Sequence, residues 1–300
     1  MIGRLAPGIA LVALTGCIAA QDNNAPQSSA VVQPIRQAAS APAPATPAGP
    51  STFVFDGQLT QGGWIRGTVP GGTRSARLGS EALAFDSSGR FFAAFDRDAG
   101  PSATLTATLA DGRVIASPVA IAPRDWRIER VDVARAPGGA TEAFMALRRP
   151  ELARIQAARG RNSASGGWRQ DFIWPVEGRI SGRFGSQRIY RGEPAAYHSG
   201  LDIAPGAGVP YVAPADGVVV LAAESPFTLE GNLLIIDHGM GLNSAFLHSS
   251  RLAVSEGQTV KQGQLLGYVG ATGRATGPHL HWSIKWRDAR LDPLLFLPPR

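Results

Sequence analysis

From residue 51 onward the chain consists of short segments rich in β-branched and aromatic residues, each closed by glycine, proline, aspartate or serine. Segments such as "FVFDGQLT" and "GNLLIIDHG" are typical of strands that are separated by tight turns. Parallel strands need long crossover connections, usually helices, and none is visible from residue 172 onward. The sequence therefore predicts a mainly β protein with antiparallel sheets.

Composition along the chain predicts a succession of regions. We expect a signal peptide at 1–17, a disordered Pro/Ala linker at 18–50, a small antiparallel β-sandwich or barrel at 51–123, a helical and flexible linker at 124–171 and a second β domain at 172–300. Segment 51–123 carries no chemical motif, so we expect a structural or adaptor role for it. In the linker, "TEAFMALRRPELARIQAARG" has helical composition, and Pro150 can occupy the first turn of a new helix.

The N-terminus has the features of an export signal. Arg4 precedes "GIALVAL", an apolar run too short to span a bilayer. The following "LTGC" resembles a bacterial lipobox, in which Cys17 is the lipidated residue; it is also the only cysteine, so no intrachain disulfide can form. Ile18 after the cysteine, in place of aspartate, favours an outer-membrane anchor facing the periplasm of the cell envelope. The alternatives are an ordinary signal cut after Ala20, and a retained anchor or no export.

The charge of the chain is basic, with a formal net charge of +6. Arginine carries nearly all of it, since Lys261 and Lys285 are the only lysines. One interpretation is attraction to an anionic cell-wall polymer or membrane surface, and the other is an arginine-rich composition on a solvated surface. No basic run is interleaved with aromatic residues, so nucleic acid is not an expected partner.

All five histidines lie in the C-terminal part of the chain, and the first 197 residues contain none. His198 precedes Asp202 by four residues, His279 and His281 are two apart, and His248 lies between these groups. Alternate residues of a strand point to the same face, so His279 and His281 are expected to project into one cleft. Imidazole and carboxylate can hold zinc with an open coordination position. The pattern therefore predicts a metal-dependent active site, without the His-Glu-x-x-His motif of helical zinc proteases.

The C-terminal motifs resemble a known family. The stretches "HSGLDIAPGAGVPYVAPADGVVV", "LLIIDHGMGLNSAFLHSS" and "VSEGQTVKQGQLLGYVGATGRATGPHLHW" are similar to the lysostaphin-type (LytM-like) zinc endopeptidases of bacterial cell walls, over roughly residues 172–298. The resemblance implies a two-sheet antiparallel peptidase domain with a groove at 172–300. It implies the zinc ligands His198, Asp202 and His281, and the catalytic residues His248 and His279, with the base and the acid left unassigned.

The resemblance also implies a function. The expected activity is that of an exported zinc metallo-endopeptidase that hydrolyses peptide cross-links of peptidoglycan. Imidazole suits both proton transfers of such a reaction, because its ordinary pKa of about 6.5 lies near operating pH. Two alternatives are a non-catalytic LytM-like activator with a cell-wall amidase as its partner, and a wall-binding module. Retention of all three ligands and both catalytic histidines favours the enzyme.

The chain departs from the family pattern at two positions. Ser283 stands where many members have glutamate, which affects the rim of the groove. Phe246 stands where a tyrosine is often found, two residues before His248, and an extended strand would place both on one face.

Three further side chains have open roles. Tyr190 and Tyr197 are candidates for the tyrosine with which some members steady the transition state. His238, in "IIDHG", is expected to be structural or solvent-facing rather than catalytic.

Overall fold

The computed structural model describes residues 48–134, 140–223 and 225–299. Residues 46–300 form one compact unit. The expected signal peptide, Cys17 and the linker up to residue 47 lie outside the described residues. Across the described ranges, no helix combines the length and hydrophobicity that crossing a membrane requires.

Strands dominate the described part of the chain, which confirms the mainly β fold. The N-terminal strands are β1 (Val54–Gly57), β2 (Trp64–Thr68), β3 (Thr73–Leu78), β4 (Glu81–Leu83), β5 (Arg90–Ala94), β6 (Ser102–Leu109), β7 (Val114–Ala120) and β8 (Ile128–Val131). Helix α1 (Glu142–Arg159) follows. The C-terminal strands are β9 (Arg179–Gly182), β10 (Gln187–Tyr190), β11 (Glu193–Pro194), β12 (Leu201–Ala204), β13 (Pro210–Val212), β14 (Gly217–Ala222), β15 (Asn232–Asp237), β16 (Leu242–Ser249), β17 (Arg251–Leu252), β18 (Thr259–Val260), β19 (Leu265–Tyr268), β20 (Leu280–Trp286) and β21 (Ala289–Leu291). Single 3-10 turns lie at Gly167–Arg169 and Pro293–Phe296.

The N-terminal strands form two antiparallel sheets, ordered β1-β2-β5 and β4-β3-β6-β7. Strand β6 shows the period of two that a half-buried strand requires: Leu105, Ala107 and Leu109 are buried, and the threonines between them are partly exposed. The buried residues pack with Ile65 and Phe91 in a common hydrophobic cluster. This is the small antiparallel β structure that the sequence predicts.

The C-terminal strands form an eight-stranded sheet, ordered β18-β14-β15-β16-β20-β12-β9 with β21 paired to β20, and a three-stranded sheet, ordered β13-β19-β17. The central strands β15 and β16 are buried along nearly their whole length, so both faces of the large sheet are covered there. One face packs into the main hydrophobic core. The other, formed by residues such as Leu233, Ile235 and Ala245, packs in a smaller cluster with Ala158 of helix α1.

One strand pair differs from the antiparallel expectation. Strand β10 pairs with β11 antiparallel but with β8 in parallel, as Gln187 lies opposite Ile128 and Tyr190 opposite Val131. The connection from β8 to β10 contains helix α1, which is the kind of crossover that a parallel pair needs. The antiparallel prediction was made for residues 172–300, whereas β8 lies in the segment 124–171, which was expected to be a helical and flexible linker without a strand.

Helix α1 runs without interruption through Pro150, so the prediction of a new helix beginning at this proline is wrong. The helix begins after Thr141, whose hydroxyl accepts a hydrogen bond from the Phe144 N–H at 3.2 Å. A proline inside a helix costs about 3 kcal/mol. Tertiary contacts of the neighbouring Arg148 and Glu151, which bind the loop between β14 and β15, hold this part of the helix in place.

Aromatic side chains join the N-terminal strands to the C-terminal ones. The Trp64 ring lies 5.4 Å from Phe296, and Phe92 lies 6.5 Å from Trp286, centroid to centroid. The Trp64 indole N–H also donates to the Leu295 carbonyl at 3.1 Å. Both halves thus contribute to one core, and the division at 51–123, 124–171 and 172–300 stays a prediction.

Candidate metal centre

The register of two neighbouring strands brings three potential ligands together. Asp202 of β12 lies directly opposite His281 of β20, and His281 Nδ1 is 2.8 Å from Asp202 Oδ1. His198, just before β12, places its Nε2 3.1 Å from Asp202 Oδ1 and 3.1 Å from His281 Nδ1. One ligand atom from each of these residues lies within 4.8 Å of the other two.

Two glycines make room for this cluster. A Cβ on Gly182 would overlap Asp202 Oδ2, and a Cβ on Gly200 would lie 2.7 Å from His281 Nε2. Real Cβ atoms do not approach that closely, so any side chain at either position would displace a candidate ligand. The backbone around the cluster is therefore shaped to let the imidazole and carboxylate groups converge.

Hydrogen bonding prepares His198 and Asp202 to bind a cation. His198 Nδ1 donates to the Arg183 carbonyl at 3.1 Å, which leaves a lone pair on Nε2 facing the cluster. Burial alone would raise the pKa of Asp202, but its hydrogen bonds to His198 and His281 outweigh burial and hold that pKa well below its ordinary value. Two imidazoles and one carboxylate are a donor set that suits zinc, and three protein ligands leave a fourth position open. The residues present therefore fit the expected zinc ion.

The other two histidines of the cleft lie beside this cluster. The ring centroids of His248 and His279 are 4.9 Å apart, and His279 Nε2 lies 3.8 Å from Asp202 Oδ1. His248 Nδ1 donates to the Thr272 carbonyl at 2.8 Å, and His279 Nδ1 donates to the Gly277 carbonyl at 2.9 Å. A carbonyl can only accept, so in the neutral form each ring carries its proton on Nδ1 and has a lone pair on Nε2. Both rings are thus in the tautomer that a general base at Nε2 requires.

The backbone at His248 breaks the alternation of its strand. Phe246 faces the main core, where it stacks with Trp282, so strict alternation would turn His248 towards that core. His248 instead has φ of +66°, and its ring lies 6.3 Å from that of His281. The expectation that His248 shares a face with Phe246 is therefore wrong. Burial also lowers the pKa of His248, which favours its neutral form.

The remaining residues singled out in the sequence lie apart from the cluster. His238 is fully buried, donates from Nδ1 to the Asp216 carbonyl at 2.8 Å and lies 2.8 Å from the Ser244 hydroxyl through Nε2, which is a structural role. Burial lowers the pKa of His238 to about 4. The Tyr197 ring packs 5.9 Å from Phe184, and Tyr190 is paired within β10. Between described residues, no hydrogen bond links either tyrosine to the histidines.

A groove leads away from His281 between helix α1 and the face of the large sheet that lies opposite the main core. Its volume is about 1220 Å³, and its floor includes Leu247, Ser283 and Lys285. Sequence reasoning identified the histidines but not Lys285 or the helix residue Arg159 as groove residues. Strand alternation could have indicated Lys285, since residues 281, 283 and 285 share one face of a strand. No sequence pattern indicated Arg159, which comes from a distant part of the chain.

Comparison with known proteins agrees with this geometry. The model of peptidase family M23 matches residues 196–293, the segment that contains all five residues of the cleft. Peptidoglycan DD-endopeptidase ShyA of Vibrio cholerae is 40% identical over 114 residues, which cover 37% of this chain and 26% of that protein. The lipoprotein NlpD/LppB homolog of Pseudomonas aeruginosa is 39% identical over 137 residues, covering 46% and 42%. Murein hydrolase activator NlpD of Escherichia coli is 35% identical over 127 residues, covering 42% and 31%.

The chain thus spans less than half the length of each of these curated relatives. Similarity to a solved structure extends further. A crystal structure from Pseudomonas aeruginosa that carries the peptidase M23 name has a TM-score of 0.61 and 28% identity, and the match covers 79% of this chain and 94% of that one. The matched sequence, the fold and the convergent histidines lead to one assignment: residues 196–293 of this chain are a domain of peptidase family M23.

Proposed function

We propose that the protein is a zinc-dependent endopeptidase that hydrolyses peptide cross-links of peptidoglycan. The observation that carries this proposal is the convergence of His198, Asp202 and His281 with His248 and His279 in one cleft. A site that only bound polymer would have no need for two additional histidines in the base tautomer beside a metal-binding triad.

The relatives support the substrate class. ShyA is a peptidoglycan DD-endopeptidase by name, and its similarity covers 37% of this chain, about the extent of the family domain. In a Gram-negative cell envelope, the expected bond joins D-alanine to diaminopimelate. This bond assignment rests on the lipoprotein-type N-terminus and on the family resemblance, and it is part of the proposal.

The chain's own residues account for the proton transfers. A zinc ion held by His198, Asp202 and His281 would supply Lewis-acid chemistry at the scissile carbonyl and lower the pKa of water. The Nε2 lone pair of His248 or His279 accepts the proton of the attacking water, and an imidazole N–H returns one to the leaving amine. The carbonyls of Thr272 and Gly277 keep both rings oriented during these steps.

We further propose that the protein is exported and anchored by a lipid on Cys17 to the outer membrane, facing the periplasm. The "LTGC" sequence supports this, and the Pseudomonas aeruginosa relative is a lipoprotein by name. Replacing Cys17 with serine should release the protein from the membrane fraction into the soluble periplasm. Equal membrane fractionation of Cys17→Ser and the parent would refute the anchor.

A second candidate function is activation of a cell-wall amidase. It is favoured by the relative NlpD, a murein hydrolase activator by name, and by the position of helix α1 along the groove. The enzyme and the activator differ in their dependence on His279. If the protein is an activator, its His279→Ala variant should stimulate an amidase as well as the parent does. If it is an endopeptidase, the same variant should be inactive.

The deciding experiment is digestion of purified cross-linked muropeptide dimers, followed by mass spectrometry of the products. We expect the zinc-loaded protein to convert dimers into monomers and the masses to identify the bond. His281→Ala should be inactive while it keeps the parent's circular dichroism spectrum. Intact dimers after incubation with folded, zinc-loaded protein would contradict the endopeptidase and favour the activator.

A further inference from the structure

The groove contains charged side chains that the proposed chemistry does not use. Residues 281, 283 and 285 of β20 share the face of the sheet that forms the groove floor. Lys285 lies four residues beyond His281, which corresponds to about 13 Å at roughly 3.3 Å per residue. Between them Ser283 contributes no charge. The end of the groove near Lys285 is thus about four extended peptide residues away from the metal centre.

Two positive charges flank one asparagine at this end. Lys285 of β20 lies directly opposite Asn243 of β16. Arg159, from the last turn of helix α1, reaches the same asparagine, with its Nη1 3.5 Å from Asn243 Oδ1. Arg290 of β21 lines the same cavity. Three cationic side chains from three separate elements therefore converge on one end of the groove.

Arg159 and Arg290 lack the carboxylate partners that other arginines of the groove have. The pairs Arg148–Glu230, Arg169–Asp86 and Arg287–Glu81 are direct ion pairs. In the described ranges, no carboxylate lies within ion-pair distance of the Arg159 or Arg290 guanidinium groups.

Two carboxylates lie near this end but leave the cations available. Asp288 is 3.8 Å from Lys285, but its side chain is fully exposed to solvent, where such a pair is weak. Asp96 accepts a hydrogen bond from the backbone N–H of Arg290 at 2.8 Å rather than from its guanidinium. The positive charge that faces the groove is therefore largely unneutralised.

The three cations lie close enough together to disfavour one another's charge. Burial lowers the pKa of Lys285, and the charge of Arg159 lowers it further. Burial likewise lowers the pKa of Arg159 to about 10, with a contribution from Arg290. Like charges held together at partly buried positions are unfavourable unless an anion joins them, so this end of the groove is suited to an anionic ligand.

We propose that Lys285, Arg159 and Arg290 form a subsite that binds a carboxylate of the substrate peptide, so that the enzyme prefers cross-linked peptides with free carboxyl groups over amidated ones. The inference rests on the proposed peptidase function and adds to it a basis for substrate selection. The bound carboxylate therefore lies several residues from the scissile bond. A long side chain that carries the carboxylate can span part of this distance.

The test uses a matched pair of cross-linked peptide dimers, one with free side-chain carboxyl groups and one with the same groups amidated. A charge-assisted hydrogen bond contributes about 1.5–3 kcal/mol, so kcat/KM should favour the free acid roughly tenfold or more. Lys285→Gln should abolish this preference. Lys261→Gln, at the other lysine of the chain, whose side chain is 75% exposed, should retain it. Equal kcat/KM for both dimers, or an unchanged preference in Lys285→Gln, would overturn the subsite.

A binding measurement separates failure of the subsite from failure of the peptidase function. If neither dimer is cleaved, the endopeptidase proposal fails, and calorimetric titration of the same dimers into the full-length protein still tests the subsite. Tighter binding of the free acid than of the amide, with the difference lost in Lys285→Gln, supports the subsite. Equal affinities for the two dimers contradict it.

Discussion

Asp202 and His281 lie opposite each other on neighbouring antiparallel strands, with His281 Nδ1 2.8 Å from Asp202 Oδ1. Two of the three candidate ligands are therefore positioned by the pairing of β12 with β20 rather than by mobile loops. A slip of one residue in this pairing would turn one of them to the opposite face of the sheet. The geometry of the candidate metal centre thus depends on the register of these two strands.

The first prediction concerns the space that Gly182 leaves for Asp202. A methyl group on Gly182 would overlap the Asp202 carboxylate and lie 3.1 Å from His198 Cε1, so Gly182→Ala should lower zinc affinity about tenfold or more. Titration with a competing chelator measures this affinity. Gly100→Ala is the matched control, because a Cβ there meets nothing within 4 Å. Equal zinc affinity of Gly182→Ala and the parent would show that the glycine is not required.

The second prediction concerns the backbone strain at His248. With φ of +66°, any residue that has a Cβ is strained at this position, by about 1–2 kcal/mol. His248→Gly should therefore be more stable than His248→Ala by about 1 kcal/mol in chemical denaturation. At Ala245, an ordinary position of the same strand, replacement with glycine should destabilise instead. A glycine variant less stable than the alanine variant would contradict the strain.

Local sequence rules were sufficient for part of this site. The placement of His279 and His281 in one cleft follows from strand alternation, which depends only on neighbouring residues. The antiparallel sheets follow from the short segments and glycine-rich turns. The path of the chain at His248 could not be inferred in this way, because its backbone bonds run to Glu230 and Thr272, which are distant in sequence.

Long-range contacts also explain why helix α1 continues through Pro150 instead of beginning there. Pro150 interrupts a helix by local rules, yet Arg148 binds Glu230 and Glu151 binds Thr228, which hold the helix on the sheet on either side of the proline. The sequence does not show that residues about 80 positions apart will meet. For the same reason, the sequence did not indicate that Arg159 lines the groove.

The third prediction tests the anchor of helix α1. The Arg148 side chain is only 9% exposed and bonds both Glu230 and Glu151. Arg148→Met therefore removes the ion-pair partner of the largely buried Glu230 and leaves Glu151 with its hydrogen bonds to Thr228 alone. We expect a loss of about 3 kcal/mol in the free energy of unfolding. We also expect a lower kcat, because the Glu230 carbonyl accepts the His248 N–H at 2.8 Å.

Arg149→Met is the control for this anchor. Arg149 is the adjacent arginine of the helix, and its partner Glu142 is exposed, so the free energy of unfolding should change by less than about 1 kcal/mol. If Arg148→Met and Arg149→Met are equally stable, the Arg148 network does not anchor the helix.

The fourth prediction concerns pH and His238. Its pKa in the folded protein is about 4, below the ordinary value of 6.5, because burial disfavours the charged ring. Between pH 6.5 and 4 the unfolded chain binds a proton that the folded protein does not, so the free energy of unfolding should fall as pH falls, by up to about 3 kcal/mol. In His238→Asn this contribution should be absent and the pH profile flatter. Parallel profiles for the two proteins would exclude His238 as the source.

The most direct test of the central claim is a zinc titration of the chelated, metal-free protein while the conversion of muropeptide dimers to monomers is followed. We predict no conversion without zinc, a rate that rises with added zinc and saturates near one equivalent, and no conversion by His279→Ala at any zinc level. Conversion that does not depend on zinc, or persists in His279→Ala, would contradict the assignment of this cleft as the active site.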